Sequence, residues 1–455
     1  MEKKHITKFV LALALPVLFL NSCKFEEDDY FDENAALRIE HAANDIQQKL
    51  GAPANGWVMQ YFCGSGVAHF EGFNILARFD ANGKVTLAGN HRYLRDDKAG
   101  TYTEATSLYE LLLEDGPVLA LNTWNDVLTP FVDPVNPWKA PRTLNMDGAG
   151  MQGDNNFVIM KFDESEILLR GERYGGRTRL VPCDRPWQQY LLACDSMKNY
   201  VSNSTLSSYY IMGQTDTLYI TGLRNGGRLR LSERLDDPLK NDSLSAVFTP
   251  RGIRLEKTDT IGRDPFQEFF LADDSTCLQT TGGNVKIIAC WDTYIISNRS
   301  SVWNFDTEQL SDEQKALVEQ MNTELKKMSS KYSFANIGLG LSTGKKHVNG
   351  LVITFYTATN KKSTRTVGLE LTTSRPGYGM MAITFTGDES VDGDMTTVGN
   401  YCDIPNLARQ FAATLSGTYA MTPDDYFCPT GCVLQQIHIA DNGDITEGSA
   451  RYIIK

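Results

Sequence analysis

Short runs of β-branched and aromatic residues, each cut off by a tight-turn dipeptide, set the strongest limit on what this chain can fold into. Residues 73–79 lead into Asp80-Ala81-Asn82-Gly83 and return as Lys84-Val85-Thr86-Leu87-Ala88. Asn-Gly reads as a hairpin turn because it accepts the positive φ values such turns demand. A second hairpin runs over residues 108–113, turns at Asp115-Gly116 and returns through residues 118–121, and a third pairs residues 157–162 with 167–170. The texture continues over residues 207–290, where 209–212, 217–220 and 228–231 are separated by turn residues. Tight turns between successive short strands give antiparallel sheets, and hence a sandwich or barrel. No fixed-period repeat supports a propeller or solenoid. The long helical crossovers of a parallel nucleotide-binding sheet are also missing.

Helical periodicity is confined to a few places. Ile39, Ala43, Ile46 and Leu50 form one stripe, stopped by Gly51 and Pro53. Ser311 and Gln314 are spaced as a capping box, and Leu317, Met321, Leu325 and Met328 continue a helix to about Lys331. Strands are expected over 351–356, 367–371 and 381–385, a helix over 406–415 ended by Gly417, and a hairpin turn at Asp441-Asn442-Gly443-Asp444. The fold class is therefore mainly β. An antiparallel sandwich- or barrel-like region covers residues 33–300, as one unit or as two (33–190 and 191–300). A C-terminal β domain with two helices covers 301–455.

The first thirty residues carry an address. Lys3, Lys4 and Lys8 precede an apolar run that ends Leu20-Asn21-Ser22-Cys23. The run is interrupted by Pro16 and short for a membrane span, so residues 1–22 read as an export signal. The ending resembles the bacterial lipobox, which implies that Cys23 is the lipidated N-terminus and that acyl chains hold the protein on the outer membrane. Residues 23–32 form an acidic tether through Glu26-Glu27-Asp28-Asp29, which resembles a surface-export tag and implies a cell-surface location.

Composition narrows the function classes. The chain has 455 residues and a formal net charge of −12, and such a surface repels phosphate backbones, so nucleic acid is not an expected partner. Apart from Cys23, the near pairs Cys183/Cys194, Cys277/Cys290 and Cys428/Cys432 are candidate disulfides for an oxidising compartment, with buried thiols as the rival. Cys428 and Cys432 lack a second ligand-spaced pair, and His41, His69, His91, His347 and His438 are scattered, so no metal site is expected. No phosphate loop occurs, and no cofactor is expected. Glu164/Glu166 and Glu114/Asp115 are carboxylate pairs in turns, where solvation accounts for them. The Asp80 and Asp441 loops lack the Gly and Glu positions of an EF-hand. Tryptophans in or near predicted loops (Trp124, Trp138, Trp187, Trp291, Trp303) can stack on sugar rings or anchor interfaces. Trp124 in the segment 122–126, and Trp291 with Tyr294 in the segment 290–294, are the candidate binding residues.

Several motifs run together. Cys23 with its acidic tail is followed by Tyr30-Phe31-Asp32, an Ala-rich helix, and Gly56-Trp57-Val58-Met59-Gln60-Tyr61. Phe79-Asp80-x-Asn82-Gly83-Lys84-Val85-Thr86, residues 119–125, Gly153-Asp154-Asn155-Asn156-Phe157 and Ile167-x-Leu169-Arg170-Gly171 follow. Together they resemble a Bacteroidetes outer-membrane lipoprotein family of unknown function, best over the first 180 residues. The resemblance implies a place beside SusC/SusD-type uptake systems and supplies no catalytic residues. The expectation is a surface binding or accessory protein of a nutrient-uptake system that takes a glycan or peptide ligand and is not itself an enzyme. The alternatives are a glycan- or peptide-cleaving surface hydrolase, and an adhesin or envelope scaffold.

Overall fold

The computed structural model describes residues 35–64, 70–113, 116–133, 151–202, 206, 208–223, 228–232, 243–297 and 302–455. The expected signal peptide, Cys23, the acidic tether, His69, Glu114, Asp115 and Trp138 lie outside the described residues.

The chain is mainly β, as its turn spacing requires. A first helix, α1 (Ala35–Leu50), precedes nine strands: β1 (Trp57–Tyr61), β2 (Phe73–Phe79), β3 (Lys84–Gly89), β4 (Thr103–Leu108), β5 (Glu110–Leu113), β6 (Pro117–Ala120), β7 (Asn156–Phe162), β8 (Ile167–Gly171) and β9 (Arg177–Pro182). They form one antiparallel sheet in the order β4-β3-β2-β1-β9-β8-β7-β6-β5. Its two edge strands, β4 and β5, are separated in sequence by Tyr109 alone, so the sheet must curl until its edges meet there. Tyr109 N donates to Gly83 O at 2.8 Å, pinning that corner.

The inner face of the curl is apolar: Trp57, Met59, Ile75, Phe79, Leu119, Phe157 and Leu180 pack with Ile46 and Leu50 of α1. Phe131, in the short α2 (Thr129–Val132), packs against the rings of Tyr61, Phe73 and His91. Gly56 opens β1 with φ +66°, and a β-carbon there would lie 2.4 Å from Ala77 O. That close approach explains why glycine precedes Trp57.

Both Asn-Gly loops are hairpin turns, with one correction. Gly83 (φ +75°) and Gly443 (φ +86°) are left-handed, whereas Asn82 and Asn442 are not among the positive-φ residues. Asp80 N donates to Lys84 O and Ala440 N to Asp444 O, both at 2.9 Å. Each is thus a three-residue loop whose last residue needs the left-handed region, and only the glycine supplies it.

The helix α3 (Trp187–Val201) leads into eight strands: β10 (Ser208–Met212), β11 (Thr217–Thr221), β12 (Arg228–Ser232), β13 (Ser243–Thr249), β14 (Gly252–Ile261), β15 (Asp264–Leu271), β16 (Leu278–Gln279) and β17 (Lys286–Ala289). They close into a barrel, with β17 returning to β10. Closure removes the exposed edges of strands as short as β16.

After α4 (Trp291–Ser297) come β18 (Val302–Asn304), α5 (Asp312–Met328), β19 (Ser333–Leu341), β20 (Asn349–Tyr356), β21 (Thr364–Glu370), β22 (Thr372–Ser374), β23 (Met380–Thr384), α6 (Gly393–Gly399), α7 (Ile404–Leu415), β24 (Gly417–Pro423), β25 (Cys432–Ile439) and β26 (Ile445–Ile454). The sheets are β18-β19-β20-β21 and β22-β23-β24-β25-β26. The expected two C-terminal helices are α5 and α7; α6, capped by Asp392 Oδ1 on Met395 N, is a third that two turns of weak periodicity did not announce. The capping box forms: Ser311 Oγ accepts from Gln314 N, and Gln314 Oε1 accepts from Ser311 N. The helix stops at Met328, three residues before the expected end. One continuous core joins the barrel to the C-terminal sheets.

Candidate functional site

The helix α3 is where the first sheet, the barrel and solvent meet. Trp187, Tyr190, Leu191, Cys194 and Val201 are buried along it at helical spacing. Several pack on Val58, Leu76 and Ala88, on the outer face of β1–β3. The polar positions between them, Asp195 and Lys198, lie one turn apart on the same side. The β-rich surroundings masked this helix in sequence; Pro186 followed by apolar residues at positions 187, 190, 191, 194 and 201 was the available signal.

Sheet and barrel are stitched together beside α3. Gly72 N donates to Ala246 O at 2.9 Å, Asn74 Nδ2 to Phe248 O at 2.7 Å, and Ser245 Oγ to Phe70 O at 2.6 Å. Gly72 is required there, since a β-carbon would lie 2.4 Å from the Phe62 ring and 2.9 Å from Val247. Farther along, Arg179 of β9 bridges Glu166 at 2.6 Å and Glu268 of the barrel at 3.5 Å.

Above the stitch a cavity of about 250 Å³ opens between sheet, helix and barrel. Its polar wall is built from Glu71, Asn74, Asn90, Arg92, Asp195 and Lys198, and its apolar wall includes Phe73, Leu191, Val247 and Phe248. Glu71 is mostly buried and faces two cations, Lys198 Nζ at 3.2 Å and Arg92 Nη2 at 3.6 Å. Asn90 Nδ2 donates to Asp195 Oδ2 at 2.6 Å. Burial raises the Asp195 carboxyl above its ordinary value, against the opposing pull of Asn90 and Lys198. Asn74 Oδ1 is buried without a hydrogen-bond partner among the described residues. Polar groups converging beside an apolar wall, at a junction between structural units, are what a small-ligand site requires.

The structure does not bring the sequence-predicted binding residues together. Trp124 is half exposed, as expected of a loop residue; its Nε1 donates to Asp126 Oδ1 at 2.8 Å, and the Arg95 guanidinium lies over its ring at 4.4 Å. Trp291 is buried, contrary to the expectation of an exposed loop. It opens α4, and its Nε1 donates to Tyr378 Oη at 2.8 Å. Tyr294 follows one turn later and packs edge-on against Trp303 at 5.8 Å. That segment fills the joint between barrel and C-terminal sheet. Trp187 and Trp303 are buried too.

The candidate disulfides are corrected as well. No disulfide joins Cys183 to Cys194, Cys277 to Cys290, or Cys428 to Cys432. Cys183 Sγ donates to Arg185 O, Cys428 Sγ to Tyr200 O, and Cys432 Sγ to Val433 O. Two of these acceptor carbonyls are local, and the third, Tyr200 O, comes from α3. Burial pushes the Cys290 thiol up to about 11 and the Cys432 thiol up to about 12.

Glu166, from the turn carboxylate pair, is bound in ion pairs with Lys161 and Arg179. His91 is buried, with Nε2 at 2.9 Å from Val127 O. Among the described residues, no three His, Cys, Asp or Glu side chains are grouped to hold a metal ion. No helix among them is long and apolar enough to cross a membrane.

Residues 27–273 match a family described as Domain of unknown function (DUF4302), and the chain belongs to that family. No curated protein matches the chain. The matched segment contains every residue that lines the cavity.

Proposed function

We propose that this protein is a lipid-anchored cell-surface binding or accessory protein of an outer-membrane nutrient-uptake system, and that it takes a small ligand in the cavity beside α3. The cavity carries the reading, because charged side chains from the segments flanking β2 and β3 and from α3 converge there beside an apolar wall. The lipobox ending in Cys23 and the acidic tether support anchoring and display. A Bacteroidetes origin and a SusC/SusD-type partner belong to the same reading.

A calorimetric and thermal-shift screen of the full chain against monosaccharides, short glycans, amino acids and short peptides tests the site. Affinity-purification of the native protein from membranes tests the partner. Binding that weakens in Asp195→Asn, together with a co-purifying outer-membrane porin, is the expected result. A protein that binds nothing in the screen and purifies alone overturns the proposal.

One observation favours a second reading, a glycan- or peptide-cleaving hydrolase: Glu71 and Asp195 are two carboxylates in one cavity. Neither stands beside a tryptophan, and Glu71 is already held by two cations. Time-resolved product analysis on any ligand found separates turnover from binding.

A further inference from the structure

Resting on the cavity as the binding site, we infer that its ligand is a neutral, hydroxyl-rich ring about the size of one sugar unit. Charge comes first. The wall carries two carboxylates, Glu71 and Asp195, and two cations, Arg92 and Lys198. The two charges of each sign balance, so a net charge on the ligand meets as much repulsion as attraction and gains nothing from the wall as a whole.

Hydrogen-bond chemistry then selects among neutral ligands. Asp195 uses Oδ2 on Asn90, and Lys198 uses one of its donors on Glu71. The two side chains stand one helical turn apart on α3, and both face the cavity. A hydroxyl can accept from the ammonium and donate to the carboxylate through one and the same oxygen. Asn74 and Asn90 line the same wall, with their Nδ2 atoms donating to Phe248 O and Asp195 Oδ2.

The apolar side agrees with a ring. Phe73, Leu191, Val247 and Phe248 line this side with most of their surface buried and Lys198 Nζ 5.8 Å from the Phe248 ring centroid, and the small apolar area left suits the C–H groups of one pyranose face, which a linear polyol does not present. The volume of about 250 Å³ lies below that of sites for drug-sized ligands and is suited to one ring rather than a chain of them.

The test is calorimetry of the full chain in detergent with a panel of neutral hexoses and pentoses, a matched panel of free amino acids and sugar acids, and Asp195→Asn, Lys198→Met and Lys198→Arg variants. Circular dichroism checks that each variant is folded, and soaking the best sugar into crystals of the unaltered protein gives a readout independent of the variants. Binding of at least one neutral sugar is expected, weakened tenfold or more by Asp195→Asn and by Lys198→Met and less by Lys198→Arg, with the ring located beside α3. A charged ligand that binds with the same variant sensitivity would keep the cavity as a site and overturn the ligand class. Sugar binding indifferent to Asp195 and Lys198, or a ring located elsewhere, overturns this inference. No binding by any compound overturns the inference and the cavity reading together.

Discussion

Asp154 fills the space that a side chain on Gly171 would need: a β-carbon there would stand 1.9 Å from Asp154 Oδ2. The same carboxylate accepts from Arg173 N at 2.9 Å and Tyr174 N at 3.0 Å, while Asp154 O accepts from Tyr61 Oη at 3.0 Å. The Gly153–Phe157 and Ile167–Gly171 motifs are therefore two halves of one clamp across β1, β7 and β8. Gly171→Ala should destabilise the protein by ~1–3 kcal/mol through overpacking, and Asp154→Ala by ~1–3 kcal/mol through stranded backbone donors. The double variant should lose less than the sum, because removing the carboxylate makes room for the methyl group. Denaturant titration of the three variants measures this, and strict additivity would refute the clamp.

A second joint is ionic and buried. Asp292 is fully buried; Oδ2 accepts from Arg375 Nε at 2.7 Å and from Gly379 N at 2.8 Å, and Oδ1 accepts from Thr293 N. Arg375 also lies over the rings of Tyr210 and Tyr378, at 5.5 and 5.8 Å. Arg375→Ala leaves a buried carboxylate without its cation and should cost ~3–5 kcal/mol. Arg375→Lys should recover only part, since an ammonium cannot reproduce the flat guanidinium between two rings. A melting temperature unchanged in Arg375→Ala would show that the pair holds nothing.

The capping box allows a graded comparison. Ser311→Ala removes one cap bond and should cost ~1 kcal/mol. Gln314→Ala should cost more, because Gln314 is buried and its Nε2 also donates to Thr414 Oγ1 and Tyr452 Oη, both at 2.8 Å. Urea unfolding of the two variants ranks them; equal losses would mean the Thr414 and Tyr452 bonds contribute nothing.

Alkaline sensitivity follows from the buried thiols. Cys290 and Cys432 are raised from a usual 9.0 to about 11 and about 12 by burial. Between those values the unfolded chain releases protons that the native chain keeps, so rising pH favours unfolding. Their contribution is intact below pH 9 and is lost as the pH climbs through 11 and 12. Melting curves across that window should fall less steeply in a Cys290→Ser, Cys432→Ser variant; identical slopes would assign the loss to other groups.

The matched family segment ends at residue 273, before β16 and β17. Residues 27–273 alone would leave the barrel open, with β10 deprived of the β17 partner it pairs with over Tyr209–Met212. Such a fragment should aggregate or expose dye-binding apolar surface. A soluble, cooperatively melting 27–273 fragment would show that the barrel does not need its last two strands.

Local rules were legible without coordinates. Hairpins at Asp80–Lys84 and Asp441–Asp444, the Ser311–Gln314 box and the β-rich character follow from turn chemistry and from side-chain periods of two and 3.6, which act over a few residues. Asn82 misled on turn type alone, because its Gly83 neighbour serves two loop geometries equally well. The helix α3 was missed amid strand signals, and with it the cavity.

What only the tertiary structure decided is which distant residues meet. Glu71, Asn90, Asp195, Lys198 and Phe248 are assembled from β13, α3 and the segments flanking β2 and β3, and no local pattern records that assembly. Trp291 looked like a loop aromatic and became core, and the near cysteines remain free thiols. Sequence spacing governs short-range geometry, whereas burial and ligand-site convergence depend on how whole sheets dock, a long-range packing outcome.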